Sequence, residues 1–256
     1  MNELDRVNEF LVWIEDSTTE RIVPWEFGNA LFNDSYPMRW DSNFLRVERP
    51  LGRAGAAELA AEADRLMAAH AHRHVVVVDD ADGSRVAPGF ADLGWDAAHL
   101  VYMAHRRAPD RAPEVTTEEA GFEDVASVIL ASHRAGYGGM SEETARALTR
   151  FTGEQATVIG TRFFLGRAGG EPTAYCELYV HDGVAQIEDV NTLAEYRGRG
   201  LARGVVCAAL EAAETAGADL IFLCADDDDW PKHLYSKLGF DPIGHFWAFI
   251  RPATGG

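Results

Sequence analysis

The chain has 256 residues, 47% of them hydrophobic, enough for one large domain or two modest ones with a real core. Its net charge of -18 supplies no basic stripe for a phosphate backbone, so nucleic-acid binding is not expected. Cys176, Cys207 and Cys224 have no metal-like spacing and read as buried thiols; there is no leader pattern at the N-terminus and no run near the roughly 20 apolar residues of a membrane span, so a cytoplasmic protein with no membrane partner and no metal is expected.

Residues 1–50 are aromatic-rich, with turn signals at Pro24, Gly28, Asn33-Asp34-Ser35 and Pro37, and fit several short strands, with Phe44–Glu48 the clearest. Gly55–His72 is rich in Ala, Glu and Leu and reads as a helix with Leu59, Ala63, Leu66 and Met67 on one face. Val75–Val78 and Leu100–Ala104 read as strands. Two prolines and four charged residues within 106–113 mark an exposed linker.

Beyond it the pattern restarts. A short strand begins at Val115-Thr116, a helix follows over Phe122–Arg134, and a second helix starts with Ser141 as N-cap. Thr161–Arg167 and Ala174–Val180 alternate as a hairpin around Gly169-Gly170, and His181-Asp182-Gly183 turns into a strand over Ala185–Thr192. A helix over Gly204–Ala216 and a buried strand over Leu220–Leu223 come next. Asp229 then caps a short helix with Pro231 in its first turn, Gly239 stops it, and Phe246–Ile250 closes the chain as a strand.

Between the Ala185–Thr192 strand and its following helix lies Arg197-Gly198-Arg199-Gly200-Leu201-Ala202. Glycines let backbone approach a ligand, and the unpaired N–H groups and macrodipole of a helix start favour an anion such as a pyrophosphate. Arg197 and Arg199 would add charge-assisted bonds. An ungapped shift of 145 residues lays Val75–Val78 on Leu220–Leu223, Leu93-Gly94-Trp95-Asp96 on Leu238-Gly239-Phe240-Asp241, and Gly55 and Ala57 on Gly200 and Ala202. The chain thus reads as two copies of one fold: residues 1–107, degenerate and truncated, a linker at 108–113, and residues 114–256. In the first copy Gly52 stands for Arg197 and Phe90 for Tyr235, and Pro88 and Gly89 interrupt the helix that would carry that aromatic, so the chemistry is expected in the second.

Arg197-x-x-Gly200-x-Ala202, followed after a helix and a buried strand by Leu234-Tyr235-Ser236-Lys237-Leu238-Gly239-Phe240, resembles the acetyl-CoA signature and closing motif of the GNAT N-acetyltransferases over residues 114–251. The duplication is similar to that of tandem-domain members such as mycothiol synthase. The resemblance implies tandem α/β (α+β) folds, each a mixed, mostly antiparallel sheet flanked by helices, with a cleft where the fourth and fifth strands splay apart. It also implies acetyl-CoA as co-substrate. The pantetheine arm would pair with backbone at Val190, Asn191 and Thr192, and the pyrophosphate would sit on Arg197, Gly198, Arg199, Gly200, Leu201 and Ala202. Asp228 stands where the family often has an asparagine that touches pantetheine.

The chemistry implied is direct attack of an amine on the thioester in a ternary complex, which needs a proton acceptor, an oxyanion donor and a proton for the leaving thiolate. The N–H of Val190 and the hydroxyl of Tyr235 fit the last two roles. Where many relatives carry the glutamate base this chain has Gln186, and an amide cannot serve. Glu188, two residues on, shares its strand face. Asp189 points to the other face unless a bulge re-aims it. A base reached through water is the remaining alternative. Tyr137 and His133 lie in the region that lines the acceptor pocket in the family, with His133 read as facing solvent. The acidic balance fits a small cationic amine as acceptor, and a homodimer is compatible with these features. Gln186 and the degenerate first copy also fit a different class, a non-catalytic acyl-CoA sensor or scaffold. A nucleotide-binding Rossmann domain does not fit, because the turn lacks GxGxxG and the preceding segments form hairpins.

Overall fold

Asn2 and Asp5 exchange backbone-to-side-chain hydrogen bonds of 3.1 and 2.8 Å, a reciprocal cap that starts a helix where the aromatic-rich sequence reads as strands. Val7, Phe10 and Ile14, three and four residues apart, are the buried stripe of that helix, so its period is 3.6 and not 2. In chain order the elements are α1 (Glu3–Ser17), β1 (Arg21–Trp25), β2 (Gly28–Phe32), β3 (Phe44–Val47), α2 (Ala56–Leu66), β4 (Arg73–Val77), α3 (Asp80–Asp92), β5 (Asp96–His105), β6 (Thr117–Ala120), α4 (Phe122–Ala135), α5 (Glu142–Ile159), β7 (Arg162–Ala168), β8 (Glu171–His181), β9 (Val184–Thr192), α6 (Leu201–Thr215), β10 (Leu220–Asp226), α7 (Pro231–Lys237) and β11 (Phe240–Arg251). The computed structural model describes residues 1–136 and 140–252.

Two compact units interleave along the chain. The larger comprises Met1–Phe10, Met103–Cys224 and Trp230–Pro242, and the smaller Leu11–Tyr102, Ala225–Asp229 and Ile243–Gly256. In the larger unit the strand order is β10-β9-β8-β7-β6, with β10 parallel to β9 and every other neighbour antiparallel. In the smaller unit the order is β1-β2-β3-β4-β11, with β3 parallel to β4 and the rest antiparallel. The successions β3–α2–β4–α3–β5 and β9–α6–β10–α7–β11 match, as the internal repeat predicts.

One expectation about the first copy is overturned. Pro88 and Gly89 do not interrupt α3, which runs through both to Asp92 and is capped by the Asp79 side chain on the Asp82 N–H at 2.8 Å. A helix-interior proline costs about 3 kcal/mol. Val86 and Phe90 on the same helix offset that cost: both are buried, and Phe90 stacks on Phe249 at 4.2 Å between ring centroids.

In the larger unit, Val125, Val128 and Ile129 of α4 pack on Phe163, Leu165 and Tyr175 of the sheet, and α6 packs on β7, β8 and β9. The glycine hairpin is present, with Gly169 and Gly170 at φ 63° and 91°, values that fit a two-residue turn in the left-handed region. The linker side chains are exposed as expected, yet its backbone is pinned: the Arg106 N–H donates to Gly239 O at 2.8 Å and the Asp110 N–H to Lys237 O at 2.8 Å. Arg203, buried on α6, holds Asp110 at 2.7 Å. A side chain at Gly239 would have its Cβ 1.8 Å from Arg107 O, so the glycine that ends α7 also admits the linker.

The smaller unit buries several charged and polar side chains. Arg46 is 2% exposed and reaches Glu15 at 2.5 Å, Glu48 at 2.6 Å and Asp16 at 2.9 Å. Three histidines sit together: His70 bonds Asn43 Oδ1 at 3.1 Å, His72 bonds Asn43 O at 3.0 Å, and His74 bonds Trp40 O at 3.0 Å. Burial lowers all three, His72 to about 4.

Unfolded His72 takes up a proton near its ordinary value of 6.5, and the folded residue only near 4. Stability is therefore complete above that upper value and falls as the pH drops towards the lower one, by about 3 kcal/mol for this residue. Urea unfolding across that window will show the decline, and His72→Gln will flatten it. Arg46→Leu strands three carboxylates and will lower the unfolding free energy by roughly 3 kcal/mol in the same assay.

Candidate active site

The parallel pairing of β9 with β10 covers Val184–Gln186 against Leu220–Phe222 and then stops, although β9 continues to Thr192. Beyond Gln186 that edge of β9 has no paired strand among the described residues, while its other edge stays on β8. The fourth and fifth strands of the larger unit therefore part where the sequence motifs place the splay.

The β8–β9 register shifts between Tyr175, opposite Asn191, and Glu177, opposite Glu188. Asp189 and Val190 together face only Cys176, and Asp189 has φ 48°, a left-handed conformation that side chains rarely adopt. This bulge turns the Asp189 carboxylate to the Tyr175 hydroxyl, which donates to Oδ2. Asp189 thus joins the face of Glu188 through the bulge that the alternation alone leaves conditional.

That face carries a polar cluster. Glu177, 4% exposed, accepts from the Tyr179 hydroxyl at 2.5 Å, and Glu188 accepts from Gln186 Nε2 at 2.6 Å. Glu177 pairs across the strands with Glu188, and Tyr179 with Gln186. The sequence reading passes over Glu177, Tyr179 and Tyr175; the available signal is one carboxylate at the centre of an otherwise apolar strand, with tyrosines two residues away on either side. Like charges opposite each other repel, and neutral donors at Tyr179 and Gln186 offset part of that repulsion.

Tyr235, on α7, is buried and lies edge-on to Phe240 at 6.3 Å. Burial pushes its hydroxyl well above the ordinary tyrosine value, and the nearby Glu188, Cys176, Asp189 and Cys224 push it in the same direction. The Cys176 thiol donates to Val205 O at 3.4 Å, and burial raises it as well, so it stays protonated.

Gly198 and Gly200 take φ 74° and 80°, and a Cβ on either would meet no atom within 4 Å. Backbone conformation and not crowding calls for glycine here, and open space lies before the helix. Gly200 is the N-cap of α6, with no side-chain cap and no acidic residue in the first turn, so the helix start meets that space with its N–H groups uncovered. Arg197 and Arg199 are exposed and bond to Thr192 O at 3.1 Å and Glu195 O at 3.0 Å. Thr192 Oγ1 and Gln186 Oε1 are buried with no hydrogen-bond partner among the described residues.

Three expectations fall elsewhere. Asp228 is exposed in the turn after β10, in the smaller unit, with its N–H on Asp226 Oδ1 at 2.9 Å. Trp230, not Asp229, is the N-cap of α7, with no side-chain capping hydrogen bond. His133 does not face solvent; it is half-buried and bonds Thr149 of α5 at 3.1 Å. Tyr137 lies outside the described residues.

Residues 133–240 match the model of the Acetyltransferase (GNAT) family. No curated protein matches the chain. Solved structures share the fold. A GCN5-related N-acetyltransferase from Kribbella flavida is 20% identical, with 100% of this chain and 97% of that one covered at a TM-score of 0.66. A conserved protein of unknown function from Staphylococcus epidermidis is 12% identical over 92% and 94%, with a TM-score of 0.69. A tandem GNAT protein from the clavulanic acid biosynthesis pathway is 16% identical over 89% and 79%, with a TM-score of 0.57. GNAT proteins generally transfer an acyl group from acetyl-CoA. The matched segment holds the parted strands, the glycine turn and Tyr235, and the chain shares its fold with these solved GNAT structures.

Proposed function

We propose that the chain is an acetyl-CoA-dependent N-acetyltransferase acting on the primary amine of a small cationic molecule. The observation that carries this reading is the carboxylate face of β8 and β9, with Glu177, Glu188 and Asp189 set beside the point where β9 leaves β10.

The residues present fit acetyl-CoA. The uncovered start of α6 and the left-handed glycines suit a pyrophosphate, with Arg197 and Arg199 exposed beside it. The unpaired edge of β9 at Val190, Asn191 and Thr192 offers backbone donors and acceptors, and the orphaned Thr192 hydroxyl offers one more polar contact. When bound, acetyl-CoA supplies an activated acyl thioester.

Glu188 Oε takes the proton of the incoming ammonium, directly or through water, and the Gln186 amide orients it. Glu177 and Asp189, held by Tyr179 and Tyr175, add negative potential that concentrates a cationic acceptor on this face. Tyr235 Oη keeps its proton at neutral pH, because burial and the neighbouring carboxylates raise it. It is a weaker acid than a thiol, so its contribution is a hydrogen bond to developing negative charge more than complete proton transfer. Gln186, at the position where relatives often carry the base, then serves Glu188 as support, which favours catalysis over a sensor role.

Tyr235→Phe and Glu188→Gln are each expected to lower kcat by about 10²-fold with acetyl-CoA affinity retained, measured as thiol release with an amine panel. Tight CoA binding by the unaltered protein with no turnover of any amine would establish the sensor reading instead. Across amines of increasing positive charge, kcat/KM should rise with charge, and Glu177→Gln should reduce that preference by about tenfold while neutral amines change little.

A further inference from the structure

Three side chains far apart in sequence meet in the smaller unit, with a fourth beside one of them. Asp80 is the first residue of α3, His99 lies on β5, His245 on β11, and Asp227 in the segment after Ala225. His99 Nε2 is 2.9 Å from Asp80 Oδ1, and His245 Nε2 is 3.8 Å from Asp227 Oδ2. The two imidazoles stack at 4.7 Å with 22° between their planes. One ligand atom from each of Asp80, His99 and His245 lies within 4.8 Å of the other two. From these positions we propose a divalent transition-metal site, of the zinc type, formed by His99, His245 and Asp80, with Asp227 beside His245 as the fourth candidate ligand.

The donor set and spacing carry the inference. Imidazole nitrogen with carboxylate oxygen suits Zn²⁺ and its neighbours better than Mg²⁺ or Ca²⁺, which take oxygen alone. Ligand atoms about 2.0–2.1 Å from a tetrahedral zinc lie about 3.3 Å from one another. The observed 2.9 and 3.8 Å fall on either side of that edge, and one imidazole turns out of the stack so that the in-plane lone pairs of both rings meet one ion.

The surroundings are built as a ligand's support is built. Trp247 stacks on His99 at 4.4 Å, and its indole N–H donates to Asp80 Oδ1 at 3.0 Å, fixing ring and carboxylate together. The Asp227 N–H donates to His99 O at 2.9 Å, which ties the fourth candidate ligand to the strand of the second. Trp247 is itself held over Gly83, where a Cβ would lie 2.2 Å from the indole ring. Two of the ligands sit on strands, so the backbone that carries them is ordered before binding. The spacing conceals the site in the sequence, since no two of these residues form a short metal motif.

The test uses the untagged full-length protein, stripped with a chelator and dialysed. Calorimetric titration with Zn²⁺ should give one equivalent per chain, and Co²⁺ should give the visible absorption of a four-coordinate site. His99→Gln, His245→Gln and Asp227→Asn should each weaken Zn²⁺ binding by more than about tenfold. Circular dichroism will verify that each variant is folded, and the Asp227 change, at a surface carboxylate, provides a variant that leaves the stacked rings in place. Mg²⁺ should not compete. Absence of saturable Zn²⁺ binding, or binding unchanged in the folded histidine variants, would overturn the proposal.

Discussion

Beyond Gln186 the backbone of β9 has β8 on one side and, among the described residues, no paired strand on the other. Backbone N–H and C=O groups away from bulk water require partners, and a parted strand leaves a row of them to be met from outside the fold. The bulge at Asp189 arises in the same stretch. It bends the strand and brings a side chain that alternation assigns to one face over to the other. The turn at Gly198 and Gly200 and the uncovered start of α6 follow within a few residues. Strand edge, re-aimed carboxylate and anion-ready helix start are thus consecutive results of one departure from regular pairing.

The carboxylates beside that departure are held in an unusual manner. Elsewhere in the chain, buried charge is matched by opposite charge, as Arg46 is by Glu15, Asp16 and Glu48. On β8 and β9, tyrosine hydroxyls and an amide are the donors to Glu177, Glu188 and Asp189. Neutral donors stabilise a carboxylate without cancelling its charge. These carboxylates lie within a protein whose net charge of -18 draws cations towards it. Burial raises Tyr235, and Glu188 and Asp189 raise it further, so the field that would attract an amine also helps keep the phenol protonated.

Much of this was legible in the sequence where one periodicity or one turn type determines the outcome. The hairpin at Gly169-Gly170, the helix after Gly200 and the repeat of element order rest on local chemistry, and the residues carry it openly. Glu177 was not legible because β8 reads as an apolar strand, and only the cross-strand partner gives its carboxylate meaning. The conformation of Asp189 depends on a register shift set by two strands at once. Helix α1 was obscured by aromatic residues that suit strands equally well, and α3 by a proline whose cost is offset by the burial of Val86 and Phe90. Asp228, placed by analogy with a family position, lies in an exposed turn of the other compact unit.

The pairing of β11 with β4 bears on how such a chain can be divided. Trp247–Arg251 complete the smaller unit's sheet beside Arg73–Val77, although some 170 residues of chain separate the two strands. A gene cut within residues 108–113 would leave the first product with a bare β4 edge and the second with an unpaired closing strand. Each exposed edge is a template for aggregation. Division of the chain there would therefore carry a folding penalty for both parts.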